Sequence, residues 1–302
     1  MKRRMIAVTA WALAILAVPS AGAAQAPARV PDIAATAAAL DRLTVVVRGN
    51  VEQLTATQLL NYRRLEGGIA KCMRAAGHPY RKAAYVNTFQ DFTDAELGFG
   101  AGSGSVFDTM INGGRRGVLN EIASARLQRA GVFDHGVPPR DNAAYQKCRA
   151  RFDYRQYPDF DLPAGLSYRN FLPGLLDGIA SHPAVEAAML PYESCMKRKY
   201  GYVADAEDRT DFLYAPRFSY TDAPLDGETP KRAWTQGIAK MEAAFAADAD
   251  CRRPAYEIAM KMLAPRIGPW EKKHRAYLAA IQKVWREQVA AAGCGAYGCA
   301  PR

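Results

Sequence analysis

A phrase that occurs twice constrains this chain more than any other feature. Cys72-Met73-Arg74-Ala75-Ala76-Gly77-His78-Pro79-Tyr80 is similar to Cys195-Met196-Lys197-Arg198-Lys199-Tyr200-Gly201-Tyr202, each closing a helical stretch and opening an aromatic loop. A second element also recurs, Tyr145-Gln146-Lys147-Cys148-Arg149 and Ala249-Asp250-Cys251-Arg252. The order is Cys-Met, aromatic loop, helix, Cys-Arg, twice over. A duplicated unit with one cysteine at each end predicts pairing within each unit, Cys72 with Cys148 and Cys195 with Cys251. Cys294 and Cys299 are left to close a short C-terminal loop, 294–299. In the chain-entropy picture each long loop stabilises the fold by about 4 kcal/mol and the short one by about 2 kcal/mol.

Apolar spacing in the rest of the chain is mostly helical. Thr57 is expected to cap a helix whose inner face carries Tyr62, Leu65, Ile69, Cys72, Met73 and Ala76, with Gly77 and Pro79 as its stop. A second helix carries Leu119, Ile122, Leu127 and Ala130 and ends at Gly131. A third starts near Asp141 and sets Tyr145, Cys148 and Phe152 on one face. Thr229-Pro230 reads as a cap with proline in the first turn, followed by the stripe Trp234, Ile238, Met241 and Phe245. Beyond Cys251 the pattern continues, with a kink or break expected at Pro265 and Gly268-Pro269 before Trp270, Tyr277, Ile281 and Val284. Strand-like alternation is weak throughout. The stretches from Tyr80 to Phe107 and from Tyr200 to Leu225 read as long aromatic loops or short strands. The expected fold is therefore mainly α: a single disulfide-stapled helical body over 24–302, built from two degenerate repeats at about 57–153 and about 181–292.

The N-terminus predicts export. Met1-Lys2-Arg3-Arg4 is basic and leads into an apolar run from Met5 to Val18, followed by Pro19 and small residues with Ala21 and Ala23 in an A-x-A arrangement. The run is roughly 14 residues, short of the about 20 that a membrane-spanning helix needs. A cleaved signal peptide, 1–23, follows from this, with a secreted or extracytoplasmic mature chain. Losing Lys2, Arg3 and Arg4 lowers the formal charge from +10 to +7. A basic exported protein is drawn to anionic surfaces, which makes a phosphate-rich wall polymer or a membrane surface the expected partner. Nucleic acid is not expected, for want of any recognisable module, and no protein partner is indicated.

The cysteine pattern resembles uncharacterised exported proteins of actinobacteria that carry a helix ending in Cys-Met…Gly-Tyr and a later Asp-x-x-Cys helix. The matching residues are Cys72, Met73, Gly77, Cys195, Met196, Gly201, Tyr202, Asp248 and Cys251, with Cys148 a looser match. The resemblance supports the disulfide reading and implies no mechanism.

No catalytic constellation stands out. The chain has no Cys-x-x-Cys, and its 4 histidines lie at no usual zinc spacing from a cysteine, so no metal and no cofactor is expected. Ser194-Cys195-Met196-Lys197 has the Ser-x-x-Lys spacing of penicillin-recognising acyltransferases but lacks their partner motifs. Asp205, Glu207, Asp208 and Asp211 could line a calcium loop, yet they lack its central glycine and terminal glutamate. Gly113-Gly114-Arg115-Arg116, just ahead of a helix, makes Arg115 and Arg116 a candidate anion site. The expected function is non-catalytic binding at the cell envelope. The alternative is an envelope hydrolase whose site is assembled by the fold from scattered acids and histidines.

Overall fold

The first helix boundaries in the computed structural model follow from local capping chemistry. The structure describes residues 32–98, 107, 115–131, 136–152, 172–204, 219–225 and 227–293. Of these, 72% are helical and none is in a strand, and all belong to one compact unit, 31–302. Both long disulfides form as predicted, Cys72–Cys148 and Cys195–Cys251. The expected signal segment 1–23, Cys294, Cys299 and the acidic run Asp205 to Asp211 lie outside the described residues.

Helix α1, Ile33–Arg48, starts at Asp32, whose Oδ1 accepts hydrogen bonds from Ala34 N and Ala35 N. It ends at Gly49, where φ is +101° and a Cβ would come within 2.9 Å of the Trp285 ring. Only glycine suits both the backbone and the space. Helix α2, Val51–Ala75, begins one residue later with a capping box. Gln53 N donates to Asn50 Oδ1 at 2.8 Å, and Asn50 N donates to Gln53 Oε1 at 2.9 Å. The expected start at Thr57 is thus corrected. Asn50 accepts from Gln53 N in the first turn and Asp94 Oδ1 accepts from Val51 N at 2.9 Å, whereas Thr57 sits buried in the second turn and donates instead to Gln288 Oε1 at 2.5 Å.

Helices α3, Arg115–Arg129, and α4, Asn142–Ala150, lie where the apolar spacing put them. Phe152, just past α4, packs over Gly68 of α2, where a Cβ would stand 2.5 Å from the ring. Helices α5, Pro183–Met189, and α6, Tyr192–Cys195, are short. A π-helical turn, Met196–Tyr200, follows and stops at Gly201 with φ +74°.

Helix α7, Arg232–Lys273, is the spine of the fold, 42 residues and so about 63 Å long. Two expectations change here. The Thr229-Pro230 cap is not used, since the helix starts at Arg232 after Lys231 with no side-chain cap. The break expected at Pro265 and Gly268-Pro269 is displaced to His274, after which α8, Arg275–Ala292, continues. Pro254, Pro265 and Pro269 each withhold one N–H from the ladder, but the buried stripe Tyr256, Met260, Leu263, Ile267 and Trp270 keeps the helix on the core. Burying such side chains at roughly 1.5–3 kcal/mol each outweighs a proline defect of about 3 kcal/mol.

Helices α1, α3 and α5 pack on α7, while α2 packs on α4 and α8. The main core joins Leu40, Leu43 and Val47 of α1 to Val185, Met196, Met260 and Trp285. A smaller cluster of Ile69, Met73, Tyr145 and Cys148 surrounds the first disulfide. Within the first aromatic loop Phe92 and Phe107 are buried in the core, and Tyr62 Oη of α2 donates to the Ala83 carbonyl at 2.7 Å.

Candidate functional site

One stretch of α7, Asp248 to Arg252, fastens the segment that runs from α6 through the π turn. Asp248, Arg252 and Tyr192 are almost wholly buried. Tyr192 Oη donates to Asp248 Oδ1, and Arg252 Nε donates to the same oxygen at 2.7 Å. The Arg252 guanidinium lies 4.8 Å from the Tyr192 ring centroid, in cation–π range. Burial, then the Asp248 charge, pushes the Tyr192 phenol well up. The next tie is the Cys195–Cys251 disulfide. The last is Asp250, whose Oδ2 accepts Lys199 Nζ at 2.6 Å and Tyr200 Oη at 2.9 Å. Those two hydrogen bonds hold the Asp250 carboxyl below its ordinary value, and the bond to Asp250 raises the Lys199 ammonium above its own.

The segment so held is unlike the rest of the surface. Leu190 is 81% exposed and Val203 76%, and Tyr200 between them is also exposed. Lys197, Arg198 and Lys199 lie on the turn that joins them. Lys199 is paired with Asp250, but Lys197 and Arg198 meet no carboxylate among the described residues. Arg198 reaches only Ser194, at 3.3 Å from both its carbonyl oxygen and its Oγ. Arg253, exposed on α7, lies close enough to Asp250 to help lower its pKa. Among the described residues near the second disulfide, the cations Lys197, Arg198, Lys199 and Arg253 outnumber the acids Glu193 and Asp250. An open depression of about 380 Å3, lined by Cys195, Arg198 and Lys199, opens there.

The other sequence candidates sit elsewhere. Arg115 pairs with Glu96 at 3.4 Å and Glu242 at 2.6 Å. Arg116 Nη1 donates to the Leu97 and Gly98 carbonyls, both at 2.5 Å, and burial together with the nearby Arg48 pulls its pKa down to about 10. The pair thus braces α3 against the 3-10 turn Asp94–Leu97. Ser194 Oγ donates to the Pro191 carbonyl at 3.0 Å and meets Arg198, not Lys197, so the Ser-x-x-Lys spacing brings no serine–lysine pair together. Cys195, Asp250 and Cys251 have ligand atoms within 4.8 Å of one another, but both sulfurs are spent on the disulfide.

A second polar cluster flanks the first disulfide. Buried Glu66 accepts Tyr80 Oη at 3.0 Å and Ala83 N at 2.8 Å, closing the loop back onto α2. His78 Nδ1 lies 2.8 Å from Asp141 Oδ1. Of the other described histidines, His182 accepts from Ala184 N and His274 bonds the Trp270 carbonyl, and none of the three meets a serine hydroxyl.

Sequence reasoning missed the exposed Leu190 and Val203, which follow from tertiary packing alone. The i, i+4 spacing of Asp248 and Arg252 was a readable signal of a helical ion pair. Comparison with known proteins found no matching family model, no similar curated protein and no similar solved structure.

Proposed function

We propose that this is an exported, non-catalytic protein, its signal cleaved near Ala23, that docks on an anionic membrane surface of the cell envelope through the face around Cys195–Cys251. The observation that carries the reading is the placing of Lys197 and Arg198, which meet no carboxylate among the described residues, and of exposed Arg253 on and beside a segment that also exposes Leu190, Tyr200 and Val203. Cations without carboxylate partners supply attraction to phosphate headgroups, at about 1 kcal/mol per residue near an anionic surface. Exposed aliphatic side chains gain only where an apolar phase is on offer. A wall polymer presents phosphate but no such phase, which favours the membrane. No helix among the described residues is long and apolar enough to cross a membrane, so the association is peripheral.

The test is sedimentation of the purified mature protein with vesicles of phosphatidylglycerol and phosphatidylcholine, with phosphatidylcholine alone, and with isolated wall. Retention on the anionic vesicles that falls as salt rises is the expected result. Leu190→Ser with Val203→Ser should weaken it while leaving the circular dichroism unchanged. No retention at low salt would sink the reading, and retention on wall alone would transfer it to the polymer. N-terminal sequencing of the exported protein checks the cleavage site.

A further inference from the structure

The second disulfide is not sealed inside the core. Cys195 is half-buried and lines the depression of about 380 Å3 with Arg198 and Lys199, whereas Cys251 is only 6% exposed. One sulfur-bearing residue is reachable from outside and the other is not. The reachable one lies under two side chains of positive charge. Asp250 opposes them, but it is already bonded to Lys199 and Tyr200, and among the described residues Lys197, Arg198 and Arg253 leave positive charge in excess.

We propose that Cys195–Cys251 is a thiol–disulfide exchange site whose substrate is an anionic thiol, a small thiol bearing carboxylates. The incoming thiolate sulfur attacks Cys195 Sγ. A bond forms between the two sulfurs as the Cys195–Cys251 bond breaks, and the electron pair leaves on Cys251 Sγ, which takes up a proton from solvent. A second thiolate then attacks the substrate sulfur of the mixed disulfide. Cys195 Sγ departs with the electron pair and is protonated in turn. Two thiols have lost two electrons and two protons and become a disulfide, and the protein has gained both as two thiols.

Access and charge direct this chemistry. The thiolate is the nucleophile, so cations at the mouth of the depression raise its local concentration and favour thiols that carry negative charge. Attack falls on Cys195 because Cys251 is covered. The segment stays in place through the exchange, since Tyr192 on Asp248 and Lys199 with Tyr200 on Asp250 still tie it to α7. The proposal does not depend on membrane docking.

The experiment treats the folded mature protein with reduced glutathione, which is anionic, or with cysteamine, which is cationic, at equal thiolate concentration. Alkylation stops the reaction and non-reduced peptides are mapped by mass. Glutathione is expected on Cys195, the alkyl group on Cys251 and an intact Cys72–Cys148 bond, with glutathione reacting several-fold faster than cysteamine. Lys197→Gln with Arg198→Gln, both exposed and neither a tie to α7, should erase that preference and leave the circular dichroism unchanged. Glutathione on Cys251, prior opening of Cys72–Cys148, reduction only on unfolding, or equal rates with the two thiols would each overturn the proposal. Vesicle retention of the oxidised protein is unaffected by any of these results.

Discussion

Tyr192 places its hydroxyl on Asp248 Oδ1, the same oxygen that receives Arg252 Nε, so a phenol and a guanidinium share one buried acceptor. The shared oxygen makes the three residues energetically unequal. Removing the phenol leaves the ion pair intact, and removing the carboxylate strands a buried cation.

Tyr192→Phe should therefore destabilise the protein by about 1.5–3 kcal/mol, the worth of a buried hydrogen bond to a charged group. Asp248→Ala should cost about 3–5 kcal/mol, because the buried Arg252 then loses the carboxylate that accepts its Nε. Urea unfolding of the mature protein gives both numbers. Replacing Asp248 and Arg252 together with apolar residues should cost less than Asp248→Ala alone, and a larger cost would show that the pair contributes more than the desolvation it requires.

Gly68 allows α2 to lie against Phe152, and a Cβ there would stand 2.5 Å from the ring. Gly68→Ala should therefore lower stability by about 1–3 kcal/mol through overpacking, despite the better helix propensity of alanine. Gly67, one residue earlier with nothing near its Cβ position, is the control. Gly67→Ala should stabilise by up to about 1 kcal/mol. Equal thermal shifts for the two variants would contradict the packing seen at Phe152.

Pro265 lies inside α7 and leaves the ladder without one donor. Pro265→Ala restores the N–H and removes the ring from the preceding turn, a gain of about 3 kcal/mol, offset by about 1 kcal/mol for the freer unfolded chain. The expected outcome is a net rise of about 2 kcal/mol, read as a higher melting temperature with slightly more helical ellipticity. A fall in stability would mean that a bend at this proline is needed for α7 to follow the core.

The Asp250 carboxyl is depressed below its ordinary 3.8 by the hydrogen bonds from Lys199 and Tyr200. Its contribution is thus fully present above the unfolded value and is lost as pH falls through the folded one. Lys199 is raised above 10.5, so its share is present below that value and is lost as pH rises through the folded one. Asp250→Asn should accordingly differ from the parent protein on the plateau between these limits and converge with it in strong acid. A difference that persisted in acid would place the effect of Asp250 elsewhere than in its charge.

The cysteine pairing was legible because a duplicated phrase marks both ends of each loop, and the apolar spacing around Leu119 and Tyr145 placed α3 and α4. Capping was less legible. Thr57 and Thr229 both have the right chemistry, but Asn50 with Gln53 forms the better box, and no side chain caps α7. The proline positions misled for a related reason. A local defect at Pro265 or Pro269 is weighed against burial along the whole helix, which spacing alone does not reveal. The exposure of Leu190 and Val203 was invisible, since an aliphatic residue next to a helix reads as core until its neighbours are known. Arg115 and Arg116 were singled out as a candidate anion site, whereas the partners they meet in the structure, Glu96, Glu242 and the Leu97 and Gly98 carbonyls, are set by folding.

The two disulfides join consecutive cysteines, Cys72 to Cys148 and then Cys195 to Cys251, with no crossing of loops. A chain that appears N-terminus first presents Cys148 to Cys72 before Cys195 exists as a competitor, and Cys251 later finds Cys195 as its sole unpaired predecessor among the four. Oxidation in order of appearance therefore yields the native pairs directly. For these four sulfurs, oxidation in order of appearance leaves no wrong pair for an isomerase to undo.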